Sequence, residues 1–77
     1  MDIRVLVGRN VRRARIEKGL TQEELAERAG TSQFYVSSLE AGRRNPTVVT
    51  VFELAQALGV DHLDLLRPNG ESAVMDA

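Results

Sequence analysis

The 77-residue sequence contains no cysteine, one histidine and only three aromatic side chains, two phenylalanines and one tyrosine. Without cysteine the chain forms no disulfide and no thiolate metal site, and the lone His62 has no second imidazole with which to share a metal ion. A glycine-rich phosphate loop and a paired catalytic motif are also lacking. We therefore expect no enzyme activity, no metal, no cofactor and no small-molecule ligand, and we interpret His62 as a surface or interface residue.

Long hydrophobic runs are missing as well. No stretch approaches the roughly 18 residues that a membrane span needs, and the apolar residues 5–7 are interrupted by Gly8 before a signal-peptide core can form. We expect no membrane association, no targeting segment and a cytoplasmic location.

Acidic and basic residues are nearly balanced in number but unevenly distributed. Residues 1–45 carry nine lysines and arginines against six acidic residues, whereas residues 46–77 carry one against five. This division suits a protein with one face on phosphate and the other face elsewhere. An ordinary solvated surface explains the charge pattern equally well.

Apolar residues at helical spacing predict an all-α fold, a compact bundle of five helices. Asp2 is a possible N-cap of the first helix and Gly19 its stop, Gly59 ends the fourth helix, and Asp61 caps a short fifth helix that turns Leu65 and Leu66 inward. The buried stripe expected on the fourth helix comprises Val48, Val51, Leu54, Ala55 and Leu58.

The second and third helices are predicted to be separated by only about three residues. Thr21 opens a T-x-x-E capping box, Gly30 ends the second helix, and either Thr31 or Ser32 caps the third, which ends at Gly42. Two helices joined by a three-residue turn with a glycine have the layout of a DNA-binding helix-turn-helix.

The residues within this layout are more specific than the layout itself. The segments are GLTQEELA at residues 19–26, a glycine at position 30, VSSLEAGRRNP at residues 36–46 and LAQALGV at residues 54–60. Together they closely resemble the lambda-repressor-like helix-turn-helix family, also called Cro-like or XRE, over roughly residues 7–66. The resemblance implies a transcriptional regulator that binds double-stranded DNA through its third helix.

The first turn of a recognition helix presents its side chains to base edges in the major groove. Gln33 is the best candidate for a bidentate contact with adenine, and Phe34 is a candidate for packing on a thymine methyl group. Phe34 has an alternative as a ring folded against the second helix. Ser38 shares the face of Phe34 and is either a base contact or a merely solvated serine.

Several polar residues around the recognition helix are candidates for phosphate contacts. The resemblance places one such contact at Gln22, which also braces the recognition helix, and the loop after that helix is basic. A solvated surface is the alternative for these positions. The predicted phosphate contacts are Gln22, Ser32, Tyr35, Arg43, Arg44 and Asn45.

Arg15 and Glu40 occupy positions that the resemblance assigns to an internal ion pair between the first helix and the end of the third. We interpret both as structural, because removing one partner of a buried pair leaves the other charge uncompensated.

A surplus of apolar residues on the fourth and fifth helices predicts a homodimer. Val49 and Phe52 form a second stripe on the fourth helix, and the fifth helix adds His62 and Leu63 to the predicted interface. The alternative is a slightly enlarged core that takes in Phe52 and Leu63.

We predict a helix-turn-helix domain at residues 1–67, followed by a loose tail at residues 68–77. The expected function is sequence-specific transcriptional regulation by a homodimer on a near-palindromic operator. The alternative is an antitoxin that binds a toxin protein as well as its own promoter.

Overall fold

The computed structural model of the chain describes residues 1–68. These residues form five helices and no strand, which confirms the predicted all-α architecture. Apart from Pro68, the predicted tail lies outside the described residues. None of the described helices is both long enough and apolar enough to span a membrane. The helices are α1 (Ile3–Glu17), α2 (Gln22–Ala29), α3 (Gln33–Glu40), α4 (Val48–Leu58) and α5 (His62–Leu66).

Local capping explains where the helices of the helix-turn-helix begin and end. The Thr21 hydroxyl accepts from the Glu24 N–H at 3.0 Å, while the Thr21 N–H donates to the Glu24 carboxylate at 2.8 Å. Gly30 ends α2 with a φ of 74°, a conformation that favours glycine. Ser32, rather than Thr31, caps α3. The turn between α2 and α3 is therefore three residues long.

The ends of α1 and α3 differ from the predicted ones by two residues. The sequence placed both ends at glycines, Gly19 and Gly42, whereas the last helical residues are Glu17 and Glu40. In each case the glycine follows the capping residue, with a positive φ of 73° and 78°. The glycines therefore mark the turns after the helices.

One hydrophobic core holds the five helices together. α3 packs on both α1 and α2, α4 packs on α2, and α5 lies between α1 and α4. The largest apolar side chains that are fully buried are Val11, Leu25, Val36, Leu39, Leu54 and Leu65.

Two residues predicted to be buried are exposed. Val48 shares the stripe of Val51 on α4 but is the first residue of that helix, so it lies one turn outside the core and is 85% exposed. Leu66 follows Leu65, and consecutive residues of an α-helix differ by about 100° in direction. Leu65 therefore points into the core, and Leu66 is 39% exposed.

α1 and α3 approach each other closely at Gly8. A Cβ atom at this position would lie far inside the contact distance of the Leu39 carbonyl oxygen and 3.1 Å from that of Glu40. The absence of a side chain at Gly8 therefore lets the end of α3 pack directly on α1.

Asn10 is a polar residue that is fully buried in the core. Its side-chain amide donates to the Leu65 carbonyl at 3.0 Å and to the Arg67 carbonyl at 2.9 Å. Arg13 donates to the Asn10 side-chain oxygen at 3.1 Å. Asn10 thus holds the end of α5 against α1 by satisfying carbonyls that the short helix leaves without partners.

Candidate nucleic-acid interface

The first turn of α3 presents two side chains to solvent. Gln33 is exposed, and the Phe34 ring is 71% exposed, so the ring does not fold against α2. The next ring, Tyr35, is half-buried and packs against the core. The Phe34 ring therefore belongs to the outer face of α3 and not to the core.

Arg44 lies across the same face of α3, although it belongs to the following loop. Its guanidinium carbon is 5.7 Å from the centroid of the Phe34 ring and 5.1 Å from that of Tyr35. Arg44 Nε also donates to the Ser38 hydroxyl at 2.9 Å. The loop cation is therefore part of the surface formed by α3.

The Ser38 hydroxyl already has partners within the chain. Besides accepting from Arg44, it lies 3.0 Å from the Phe34 carbonyl and 3.1 Å from the Tyr35 carbonyl. The Ser38 hydroxyl is therefore engaged within the chain and helps to hold Arg44 over α3.

The other two loop residues predicted to contact phosphate lie in different surroundings. Arg43 is exposed and follows α3 closely, because its backbone N–H donates to the Ser38 carbonyl at 3.0 Å. Asn45 is exposed beside an apolar groove between α1 and α4. Arg43 and Arg44 therefore remain with the α3 surface, whereas Asn45 lies toward the apolar groove.

Ser32 and Gln22 stand at the N-terminal ends of α3 and α2. The Ser32 hydroxyl oxygen accepts from the Tyr35 N–H at 3.0 Å, as an N-cap does. The Gln22 side chain lies between Gln33 and Glu40 and is hydrogen-bonded to both. The residue after the N-cap of α2 is thereby connected to the first residue of α3.

Arg15 and Glu40 form an ion pair behind this surface. Arg15 Nε is 2.7 Å from one Glu40 carboxylate oxygen, and the second terminal nitrogen is 3.0 Å from the other. The two side chains are only 12% and 4% exposed. The hydrogen bond to Glu40 is the main cause that raises the pKa of Arg15. A third donor of Arg15 bonds the Leu20 carbonyl at 2.8 Å, so the guanidinium ties α1 to the turn before α2.

A second surface, the apolar groove, lies on the α4 side of the molecule. Three of the four residues predicted for the dimer interface line it: Val49, Phe52 and His62. The Phe52 and His62 rings are 5.9 Å apart. Phe52 and Leu63 are 46% and 51% exposed, so neither belongs to an enlarged core. We define the apolar groove by the residues Ile3, Val48, Val49, Phe52, His62 and Leu66.

The sequence pattern alone did not indicate that α1 contributes to this groove. Ile3 continues the apolar periodicity of α1 but lies at its first position, where it is 51% exposed. The roles of Gly8 and Asn10 were not predicted either, because the spacing of a glycine or an asparagine along the chain does not indicate a close contact between helices. Within residues 1–68, no group of three or more acidic, histidine or cysteine side chains is arranged to hold a metal ion.

Comparison with known proteins identifies what this geometry belongs to. A helix-turn-helix family model matches residues 11–65. An uncharacterized HTH-type transcriptional regulator, y4dJ from Sinorhizobium fredii, is 64% identical over 72 residues, which is 94% of either chain.

Solved structures share the fold as well. The crystal structure of the hypothetical transcription factor NHTF from Neisseria has a TM-score of 0.87 and 39% identity, over 94% of this chain and 83% of that one. The restriction-modification controller protein C.Esp1396I, solved as a tetramer in complex with its natural 35 base-pair operator, has a TM-score of 0.77 and 28% identity, over 84% and 86% of the two chains. The exposed face of α3, the sequence relatives and the shared fold lead to one conclusion: this chain belongs to the XRE, or Cro-like, helix-turn-helix family of DNA-binding transcriptional regulators.

Proposed function

We propose that this regulator is sequence-specific and binds a near-palindromic operator as a homodimer. The observation that carries the proposal is the first turn of α3, where Gln33 and a largely exposed Phe34 project from a helix anchored on both α1 and α2. A rigidly held helix with base-reading side chains at its N-terminal end matches the geometry by which a helix-turn-helix enters the major groove.

Base recognition is assigned to Gln33, Phe34 and Ser38. Gln33 offers the paired donor and acceptor that the adenine edge requires, and Phe34 offers apolar contact for a thymine methyl. Ser38 supports this surface through its bond to Arg44. Gln33 should contribute most of the discrimination between bases, because a bidentate contact favours the matching base by about 1–3 kcal/mol.

Phosphate contacts are assigned to the surroundings of α3. Arg43 and Arg44 supply positive charge beside it, and Tyr35 and Ser32 supply hydroxyl groups. Gln22 sits at the first turn of α2, where free backbone N–H groups favour an anion. Asn45 is also assigned to phosphate, but it lies farther from α3, beside the apolar groove.

Dimerisation is assigned to the apolar groove together with Leu63. Contiguous exposed apolar residues on a small regulator favour association, and a two-fold axis through the groove pairs identical surfaces. The two recognition helices would then be separated by about one DNA turn, roughly 34 Å. The assembly of C.Esp1396I on its operator supports an oligomer on DNA here.

Selection from a pool of random duplexes, followed by gel shifts at several salt concentrations, tests DNA recognition. We expect one enriched, near-palindromic sequence, whose affinity falls as salt rises because bound counterions are released. Gln33→Ala should relax the preference at one base pair of each half-site, whereas Arg43→Ala should weaken binding to all duplexes. Arg67→Ala, which removes a charge from the acidic half, is the matched control. Uniform binding by the wild type, or an unchanged preference in Gln33→Ala, would contradict the assignment.

Sedimentation of the wild type and of Val49→Asp/Leu63→Asp at micromolar concentration tests the dimer. Both side chains are exposed, so the double variant should fold, as circular dichroism will verify, and sediment as a monomer. Gln56→Asp, an exposed position on the same α4, should leave the dimer intact. A monomeric wild type, or a folded double variant that remains dimeric, would exclude this interface.

A further inference from the structure

Four polar side chains form a continuous chain of hydrogen bonds from the bundle to the start of α3. The Arg15 guanidinium donates to both oxygens of Glu40, at 2.7 and 3.0 Å. Gln22 donates its side-chain N–H to Glu40 at 3.0 Å, and Gln33 donates its own to the Gln22 side-chain oxygen at 2.8 Å. The Glu40 end is 4% exposed, whereas Gln33 is exposed. We call these four residues the polar relay.

The hydrogen bonds of the polar relay all run in one direction, with each donor pointing toward Glu40, because a charged carboxylate lies near its inner end. A carboxylate accepts hydrogen bonds and donates none, so Gln22 must turn its NH2 group toward Glu40. The carbonyl oxygen of Gln22 then faces Gln33, and only the NH2 group of Gln33 can bond to it. A glutamine amide held by water alone has two similar orientations, whereas Gln33 receives a single orientation from inside the protein.

We propose that Glu40 is a positioning residue for base recognition, which acts through Gln22 to fix the direction in which the Gln33 amide faces the DNA. This inference rests on the proposed contact of Gln33 with a base. With its nitrogen held on the Gln22 side, Gln33 presents its second N–H near that side and its free oxygen on the other.

The orientation of Gln33 decides which orientation of a base pair is bound. The adenine edge carries an acceptor, N7, beside a donor, N6, so it matches Gln33 only when N7 lies toward Gln22. At the same two positions the reversed base pair presents the thymine methyl group and its acceptor O4, so the Gln33 N–H meets a methyl group and the Gln33 oxygen meets another acceptor. Glu40 therefore selects adenine on one strand over adenine on the other, without touching the DNA.

Glu40→Gln removes the direction while keeping the size of the side chain. In either of its two placements an amide at position 40 turns its NH2 group toward one of the two Arg15 donors. It can therefore either accept from Gln22 or donate to it, and both orientations of Gln33 become populated. The double variant Gln22→Glu/Glu40→Gln exchanges the two groups and restores the direction, because a carboxylate at position 22 accepts from Gln33 and from the new amide alike. Gln22→Met interrupts the polar relay but leaves the Arg15–Glu40 ion pair intact. The folding of this variant therefore does not suffer from a change in the buried ion pair, as that of Glu40→Gln can.

Competition between duplexes that differ only by reversal of the base pair read by Gln33 measures the effect. We expect a preference of roughly tenfold or more in the wild type, as a bidentate contact provides. It should fall to about twofold in Glu40→Gln, where each orientation holds about half of the molecules, and in Gln22→Met. The exchanged double variant should regain most of the preference, although its extra charge near phosphate lowers affinity for all duplexes. A purely structural Glu40 would not be rescued by this exchange.

Amide NMR of the DNA-free protein tests the polar relay separately from DNA reading. In the wild type, one side-chain N–H of Gln33 should show contacts to Gln22 and a chemical shift displaced by the hydrogen bond, and both signs should disappear in Gln22→Met. If these signs are present but Gln33→Ala keeps the wild-type base preference, the proposed contact between Gln33 and a base is wrong. The polar relay would then exist as a structural feature without a role in base recognition. A folded Glu40→Gln or Gln22→Met with the full wild-type preference, or a folded exchange variant that regains none, would overturn the positioning role.

Discussion

Replacement of Asn10 by alanine should destabilise the bundle more than any change at an exposed position of α1. Asn10 is 2% exposed and donates to the carbonyls of Leu65 and Arg67. Two lost hydrogen bonds are worth about 1 kcal/mol each, and a buried carbonyl left without a donor adds about 1–3 kcal/mol. The expected loss is about 3–5 kcal/mol of the free energy of unfolding. A domain of this size has a total of about 4–12 kcal/mol.

Thermal unfolding followed by circular dichroism at fixed protein concentration measures this loss. For a domain of this length, 1 kcal/mol corresponds to about 4–8 °C in Tm, so Asn10→Ala should lower Tm by roughly 12–40 °C. Asn10→Asp should do at least as much, because its carboxylate faces carbonyl oxygens that it cannot bond as a donor. The neighbouring exposed Arg9→Ala is the control and should change Tm little.

The part of the fold that Asn10→Ala destabilises first provides a second test. α5 is anchored to α1 through Asn10, so amide hydrogen exchange should accelerate first in α5 when Asn10 is replaced. His62 and Leu63 of the proposed dimer surface lie on that helix, and dimerisation should weaken with it. A fall in Tm below about 3 °C for Asn10→Ala would refute the argument, since it would mean that water or another donor replaces the amide at no cost.

Three further predictions concern the contacts around α3. Gly8→Ala should destabilise the protein by about 1–3 kcal/mol in urea unfolding, because the new methyl collides with the Leu39 carbonyl. Helix propensity alone would stabilise the protein by about 0.5–1 kcal/mol, so a gain in stability would contradict the close contact. Arg44→Lys should weaken DNA binding while leaving the slope of log affinity against log salt unchanged, whereas Arg44→Ala should reduce that slope by about 1; equal slopes in the two variants would exclude a phosphate contact. Thr21→Ala should cost about 1 kcal/mol through loss of the capping box, with faster hydrogen exchange confined to the first turn of α2.

Local structure was largely determined by the sequence alone. The capping box at Thr21, the left-handed Gly30 and the N-cap Asp61 act on their immediate neighbours, and each stands where the pattern predicted it. The helix-turn-helix follows from these short-range signals, because capping and chirality depend only on residues within one turn. For Phe34 the sequence left two alternatives open, a DNA-facing ring or a ring folded against α2, and only the structure shows the ring exposed.

Contacts between distant parts of the chain were decided only by the tertiary structure. The burial of Asn10, the lack of space at Gly8 and the exposure of Val48 depend on where helices end against one another, which periodicity along one helix does not specify. The same holds for the polar relay, because the resemblance gave Gln22 a bracing role but not the bonds that connect it to Glu40 and Gln33. Periodicity tells which face of a helix is apolar. The distance between two helices, and hence which polar atoms meet, is set by the packing of all five.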